Sequence, residues 1–166
     1  MEIYRNIFGM EVKFTYKSIA LLSFLAVFPN ILGLIVLPTP FGFNLHLFQY
    51  LIFAAALLYG PFGGLVSGAF GSVYTALLLN NPYIIFGNII LGFFFGYFAK
   101  NRKIHVLPAM FIAYAIQLPW LYVTDIYLAH MPLPAVQGVI IALLASNILW
   151  AYLAGKTYKK IGKLIE

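Results

Sequence analysis

The chain has 166 residues, of which 63% are hydrophobic and 8% are charged, and its formal net charge is +6. A soluble domain needs about a quarter of its residues charged to cover its surface, so this composition excludes a soluble domain and indicates a chain surrounded largely by lipid. One helical span takes about 20 apolar residues, which leaves room for five or six spans in an all-α, polytopic membrane bundle. The absence of cysteine excludes disulfides and thiolate catalysis.

Six apolar runs follow one another along the chain, and we expect each to form a transmembrane helix within one membrane domain, residues 1–166. The runs cover residues 18–38, 45–60, 62–79, 82–99, 104–126 and 133–155. Pro, Asn-Pro and a Lys/Arg cluster separate them, and such steps end helices. Residues 1–16 are expected to form either a cytoplasmic tail or a short interfacial helix, because their apolar residues recur at near-helical spacing.

The Gly60-Pro61 step decides between five spans and six. A single helix over residues 46–79 would be about 50 Å long, far more than a bilayer needs. With six spans and a cytoplasmic start, all ten Lys and Arg residues fall on the cytoplasmic side, whereas five spans place the last seven outside. Because basic residues concentrate in cytoplasmic segments, we predict six spans, both termini in the cytoplasm, and a multi-pass protein of the cell membrane.

A stripe of small residues crosses the same step, since Gly60, Gly64 and Gly68 recur at intervals of four. In lipid, such stripes allow two helix backbones to approach closely. The stripe predicts either packing against another helix of the chain or docking of a partner membrane protein, and the sequence leaves both open.

Polar groups inside a membrane are costly and therefore mark candidate sites. Asp125 is the only acid outside the terminal tails. Gln117, Trp120 and Thr124 share one helical face, which offers an aromatic platform beside hydrogen-bonding groups. We expect a small polar ligand with a flat ring, which would stack on Trp120 while Asp125 accepts from an amine or amidine.

Further polar residues on the same outer side extend this candidate substrate site. They are Asn44, His46, Tyr83, Asn88 and Gln137. Each has a plainer alternative, since aromatic residues gather at membrane edges and amides cap helices.

Motifs for catalysis and for cofactors are missing. A single candidate acid cannot form a paired-carboxylate site, and there is no phosphate-binding loop. His46, Asp125 and His130 have no spacing that favours a metal, so we expect no metal and no cofactor. We therefore expect a binding protein and not an enzyme, with no nucleic-acid partner. Two other functions stay open: a self-sufficient channel or facilitator, and an intramembrane lipid-modifying enzyme.

Residues 54–71, AAALLYGPFGGLVSGAFG, resemble the small-residue and Leu-x-Gly-Pro pattern of the substrate-binding S components of energy-coupling factor (ECF) transporters. The run 82–100, with Asn88, Gly92 and Gly96, resembles their fourth helix, and the resemblance covers residues 44–103. It implies an outward-facing site for a vitamin-like metabolite or precursor. It also implies partners, namely a transmembrane T subunit driven by two ATPase subunits, on which the chain would topple within the membrane.

The same resemblance implies a docking surface on the first helix. Family members often carry Ala-x-x-x-Ala there, whereas here Ala20 is followed four residues later by Phe24, with Ser23 as the adjacent small residue. Candidate docking residues are therefore Ala20 and Ser23, together with the glycine stripe. Metal-transporting members carry a histidine directly after the initiator methionine, so Glu2 argues against nickel or cobalt as the substrate.

Overall fold

The computed structural model describes residues 3–7, 10–38 and 44–164, and within them the chain is predominantly helical. The helices are α1 (Tyr16–Leu32), α2 (Phe48–Gly71), α3 (Val73–Leu78), α4 (Tyr83–Gly96), α5 (Val106–Val123) and α6 (Leu133–Gly162). π-helical turns extend α4 over Tyr97–Asn101 and α5 over Thr124–Leu128. In this described part, four helical stretches are long and apolar enough to cross a membrane: Phe48–Leu78, Tyr83–Asn101, Val106–Leu128 and Leu133–Gly162. The apolar helix α1 is shorter.

Two short antiparallel hairpins accompany the helices. Strand β1 (Ile3–Ile7) pairs with β2 (Met10–Phe14), and β3 (Val36–Pro38) pairs with β4 (Asn44–His46). The first hairpin takes the place of the interfacial helix, which was one of the two expectations for residues 1–16. Its second strand, MEVKF, alternates apolar and polar residues, which is the period of a strand and not of a helix. The second hairpin shortens the first predicted span, because α1 ends at Leu32 and the following residues pair as a strand.

The chain reverses direction inside α2, at Gly60. The φ of 65° and ψ of −150° at this residue lie outside the helical region, in a conformation that glycine adopts at no steric cost. Pro61 then suits the first position of the next helix. Gly63 packs back against the carbonyl of Ala55, which a straight helix would hold about 12 Å away along its axis. The two halves of α2 therefore run antiparallel, and the break lies at the predicted Gly60-Pro61 step.

The glycine stripe packs against α4 of the same chain. Gly60, Gly64 and Gly68 meet the backbone of Gly96, Gly92 and Asn88, in that order. The reversed order shows that the second half of α2 and α4 are antiparallel. Of the two interpretations of the stripe, the structure shows packing within the chain, and α4 leaves no room for a partner helix on these three residues.

Helix α1 lies along the second half of α2 and is fixed to it by buried hydrogen bonds. The Tyr59 hydroxyl donates to the Ser18 carbonyl at 2.9 Å, and the Ser67 hydroxyl donates to the Leu25 carbonyl at 2.6 Å. Both bonds satisfy carbonyl groups that would otherwise have only their helical partner. The two helices therefore run parallel, with the start of α1 beside the reversal at Gly60.

Basic residues gather at the end of the bundle that holds this reversal, which we call the basic end. The Lys100 ammonium donates to the Leu58 carbonyl just before the reversal. Gly162, at the end of α6, lies against the Leu58 side chain, and α1 begins here with Lys17 as its second residue. Cations suit the carboxyl ends of the first half of α2 and of α6, because the last turn of a helix leaves carbonyl groups unpaired.

Apolar and polar side chains are distributed as expected for a bundle in lipid. Large apolar side chains cover the outside, including Leu77, which is 75% exposed, and Val27, Phe70 and Ile141, each 60% exposed. In contrast, the interior holds buried Gln, Asn, Ser and Thr side chains and one buried acid. A soluble protein has the opposite preference, so this distribution agrees with the composition.

Candidate ligand-binding site

A cavity of about 670 Å³ opens at the end of the bundle opposite the basic end. It lies between β4 with the start of α2, the turn from α3 to α4, and the adjoining parts of α4, α5 and α6. Small-molecule sites typically have volumes of about 300–1,000 Å³. The polar and aromatic side chains that line it include His46, Gln49, Thr75, Asn80, Asn81, Tyr83, Asn88, Gln117, Trp120, Thr124 and Asp125.

Most of the substrate-site residues expected from the sequence line this cavity. They are His46, Tyr83, Asn88, Gln117, Trp120 and Asp125. Gln137 is not part of the lining: its side chain is exposed on α6, although the neighbouring Gly138 does line the cavity. Asn44 lies in β4, and its side chain falls outside the described residues.

The C-terminal part of α5 forms one wall of the cavity. Gln117, Trp120 and Thr124 point to it from successive turns, as their spacing predicts. The π-helical turn that follows buries both Thr124 and Asp125, which are 3% and 6% exposed. The Thr124 hydroxyl donates to the Trp120 carbonyl at 2.8 Å, so its hydrogen is not available to a ligand.

Asp125 is held by an amide from the turn between α3 and α4. Asn81 Nδ2 donates to Asp125 Oδ1 at 2.9 Å, while Asn81 Oδ1 accepts from the Tyr83 backbone N–H at 3.1 Å. These two bonds fix which way the amide points, because the reverse orientation would place like groups together. No Lys or Arg belongs to the described lining. The carboxylate therefore lies in the wall with one neutral partner, an expensive arrangement for a buried charge.

Two side chains of α5 cross to α4 at Gly87. Gln117 Nε2 donates to the Gly87 carbonyl at 2.9 Å, and Trp120 Nε1 donates to the Tyr83 carbonyl at 3.1 Å. A Cβ on Gly87 would lie 3.4 Å from Gln117 Nε2, which is an ordinary van der Waals contact, so both side chains pack closely against this part of α4. Gln117 Oε1 remains buried without a hydrogen-bond partner in the part of the chain that the structure describes.

A hydrogen bond between α2 and α6 forms the inner boundary of the cavity. Ser146 Oγ donates to Gln49 Oε1 at 2.7 Å, and both residues are buried. Beyond it, Asn147 is fully buried, and neither of its amide atoms has a partner among the described residues. The apolar cluster around Phe53 and Phe95 then fills the bundle toward the basic end.

His46 lies at the rim of the cavity, ahead of the first helical turn of α2. Burial lowers the pKa of its imidazole below the ordinary value of 6.5, so the ring is neutral at pH 7. Its Nδ1 has no hydrogen-bond partner within the described ranges. A neutral imidazole offers one donor and one acceptor, so His46 can bind a polar group but cannot neutralise Asp125.

Asn81, Gln49 and Ser146 are not among the substrate-site residues predicted from the sequence. Asn81 accepts a hydrogen bond from the start of the next helix, and one of its amide N–H groups donates to Asp125. A lone acid in an apolar chain needs a neutral donor nearby, and the paired Asn80-Asn81 was the available signal. Gln49 and Ser146 are 97 residues apart, and no pattern in the sequence connects them.

Comparison with protein-family models, with curated proteins and with solved structures finds no match for this chain. The chemistry of the cavity therefore rests on its own residues.

Proposed function

We propose that this chain is the membrane-embedded substrate-binding subunit of an uptake system for a small vitamin-like metabolite or precursor, and that it has no catalytic activity of its own. The observation that carries the proposal is the placement of the cavity. Its polar lining lies at one end of an apolar bundle, and the basic residues lie at the other. Because basic residues mark the cytoplasmic side, a cavity at the opposite end would open to the outside.

The proposal includes six crossings of the cell membrane with both termini in the cytoplasm. The reversal at Gly60 supports this count, because it divides the 31-residue stretch Phe48–Leu78 into two antiparallel parts. Together with α1, α4, α5 and α6, these parts make six alternating segments. An even number of segments returns the chain to the side on which it began.

The energy for uptake would come from partners, since no nucleotide-binding motif is present in the sequence. The resemblance to ECF S components implies a T subunit and two ATPases. The exposed face of α1 is the docking surface that we propose, because Ala20 and Ser23 both lie on it. The apolar residues Phe24 and Val27 next to them are 49% and 60% exposed. Small residues flanked by exposed apolar ones allow close approach of a partner helix in lipid.

Copurification tests this assignment. A tagged chain expressed in its native cell is expected to bring down a second membrane protein and ATPase subunits. The double variant Ala20→Leu, Ser23→Leu should lose them, because the larger side chains hold the partner helix away. Ala115→Leu is the matched control, since Ala115 is also exposed but lies on α5. A chain that purifies without these subunits and by itself carries solute across liposome membranes would instead be a facilitator.

A further inference from the structure

We infer that the cavity is selective for a ring compound carrying a cationic nitrogen group, such as a protonated amine or amidine, with the cation on Asp125 and the ring against Trp120. This inference deepens the proposed function and rests on it for the identification of the cavity as the binding site. It depends on charge, on hydrogen-bond donors and acceptors, and on the aromatic wall.

The charge of the cavity is the first argument. Asp125 is the one acid in the described lining, and that lining contains no Lys or Arg. Asn81 gives the carboxylate a single neutral donor at 2.9 Å, and the neutral His46 cannot balance it. A charge removed from water is stabilised mainly by an opposite charge close to it, and a cationic ligand would supply one. An anionic ligand would face repulsion from the same carboxylate.

The hydrogen-bonding groups of the α5 wall favour a ligand that donates. One N–H of Gln117 and the indole N–H of Trp120 donate to the backbone of α4, and the Thr124 hydroxyl donates within α5. Gln117 Oε1 is buried and has no donor among the described residues, and its orientation is fixed because only the amide nitrogen can donate to the Gly87 carbonyl. Asp125 and this unpaired acceptor lie in the same wall, and both match ammonium or amidinium N–H groups.

The indole of Trp120 determines the shape of the ligand. Because its N–H is bonded to the Tyr83 carbonyl, the indole meets a ligand through its ring atoms and not through a donor. An aromatic face attracts both flat rings and cations, and the attraction to a cation is larger where water is displaced. A ring that carries its charge at one end satisfies Trp120 and Asp125 together, since the two residues lie on adjoining turns of the same helix.

The chain contains two tryptophans, which allows a direct test. In a Trp150→Phe background, Trp120 is the only tryptophan, and its fluorescence reports on the cavity. The purified full-length variant in nanodiscs is titrated at pH 7 with benzamidine, benzamide and benzoate, which have similar shapes and charges of one plus, zero and one minus. We expect benzamidine to bind at least roughly tenfold more tightly than benzamide, and benzoate not to bind, as a close charge pair implies.

Asp125→Asn tests the source of the preference. The substitution keeps the size of the side chain and removes its charge, so benzamidine and benzamide should then bind with similar affinity. Glu11→Gln is the control, because it removes a carboxylate located in β2, before α1. Circular dichroism and gel filtration of each variant verify that it is folded.

Four results would overturn the inference: equal affinity for benzamidine and benzamide in the parent, tighter binding of benzoate, a cation preference that survives Asp125→Asn, or no binding of any probe. The titration uses the isolated chain, so it is independent of the copurification with ATPases. If the chain does not copurify with ATPase subunits, the proposed function is overturned. A measured preference for the cationic probe would still hold.

Discussion

Gly64→Ala is expected to destabilise the bundle, because Gly64 meets the backbone of α4 at the closest approach of the two helices. A methyl carbon on Gly64 would lie 2.9 Å from Gly92 Cα and would overlap the Gly92 carbonyl more severely. Nonbonded carbon atoms prefer separations of about 3.5–4.0 Å, so the helices would have to part by about 1 Å. Backbone atoms block the methyl on this side, and no rotamer change can relieve the overlap.

The expected cost follows from these distances. Overpacking of a well-packed interior typically costs about 1–3 kcal/mol. Replacing glycine by alanine within a helix returns roughly 0.5–1 kcal/mol, which offsets part of this loss. We therefore expect Gly64→Ala to lower the free energy of unfolding by about 1–2 kcal/mol.

Unfolding in bicelles by increasing mole fractions of SDS, followed by circular dichroism, measures this difference. Gly138→Ala is the matched control, because a Cβ on Gly138 has no heavy atom within 4 Å. It should leave stability unchanged or raise it slightly. Equal destabilisation by the two variants, or wild-type stability of Gly64→Ala, would refute the close-packing argument.

Three further predictions concern polar side chains of the bundle. Asn30→Ala should lower the free energy of unfolding by about 1–3 kcal/mol, because Asn30 Nδ2 donates to the Phe70 carbonyl at 2.8 Å and Oδ1 accepts from the Tyr74 N–H at 2.8 Å. Asn147→Leu should raise the SDS midpoint of unfolding, because it removes a buried amide whose two polar atoms have no partner among the described residues. The imidazole of His46 should titrate by NMR below its ordinary pKa of 6.5, since burial favours its neutral form. Its contribution to stability is then present above that value and lost as the pH falls through the folded-state pKa.

Each of these predictions has an opposing outcome that can be observed. Wild-type stability of Asn30→Ala would show that its bonds from α1 to α2 and α3 contribute nothing net. A lower SDS midpoint for Asn147→Leu would mean that the amide is satisfied in the folded protein. A His46 titration at or above pH 6.5 would place the ring in water or beside a negative charge.

The helical, apolar character of the chain could be predicted because it depends on composition and on the lengths of apolar runs. The break at Gly60-Pro61 was also predictable, because glycine permits a positive φ and proline suits the first position of a helix. Strands β1 and β3 were not. The apolar spacing of the first also suits a helix, and the second depends on pairing with β4, a contact that only the folded chain defines.

The site could be predicted where its residues share one helix. Gln117, Trp120 and Thr124 lie within eight residues of α5 and its extension, so helical spacing places them on one wall. Gln137 carries a hydrogen-bonding amide but does not line the cavity, although the adjacent Gly138 does. A shift of one residue along a helix turns the side chain by about 100°. The Gln49–Ser146 contact depends on how two helices that are far apart in the sequence pack together, and no local sequence pattern indicates it.

The closed floor beneath Gln49 and Ser146 has a consequence for exchange. The apolar cluster that includes the fully buried Phe53 and Phe95 occupies the bundle below it. Under the proposed function, a ligand that enters the cavity would therefore leave by the same opening while this arrangement lasts. Its occupancy would then follow the ligand concentration on one side of the membrane only, and release on the other side would require a change in how these helices pack.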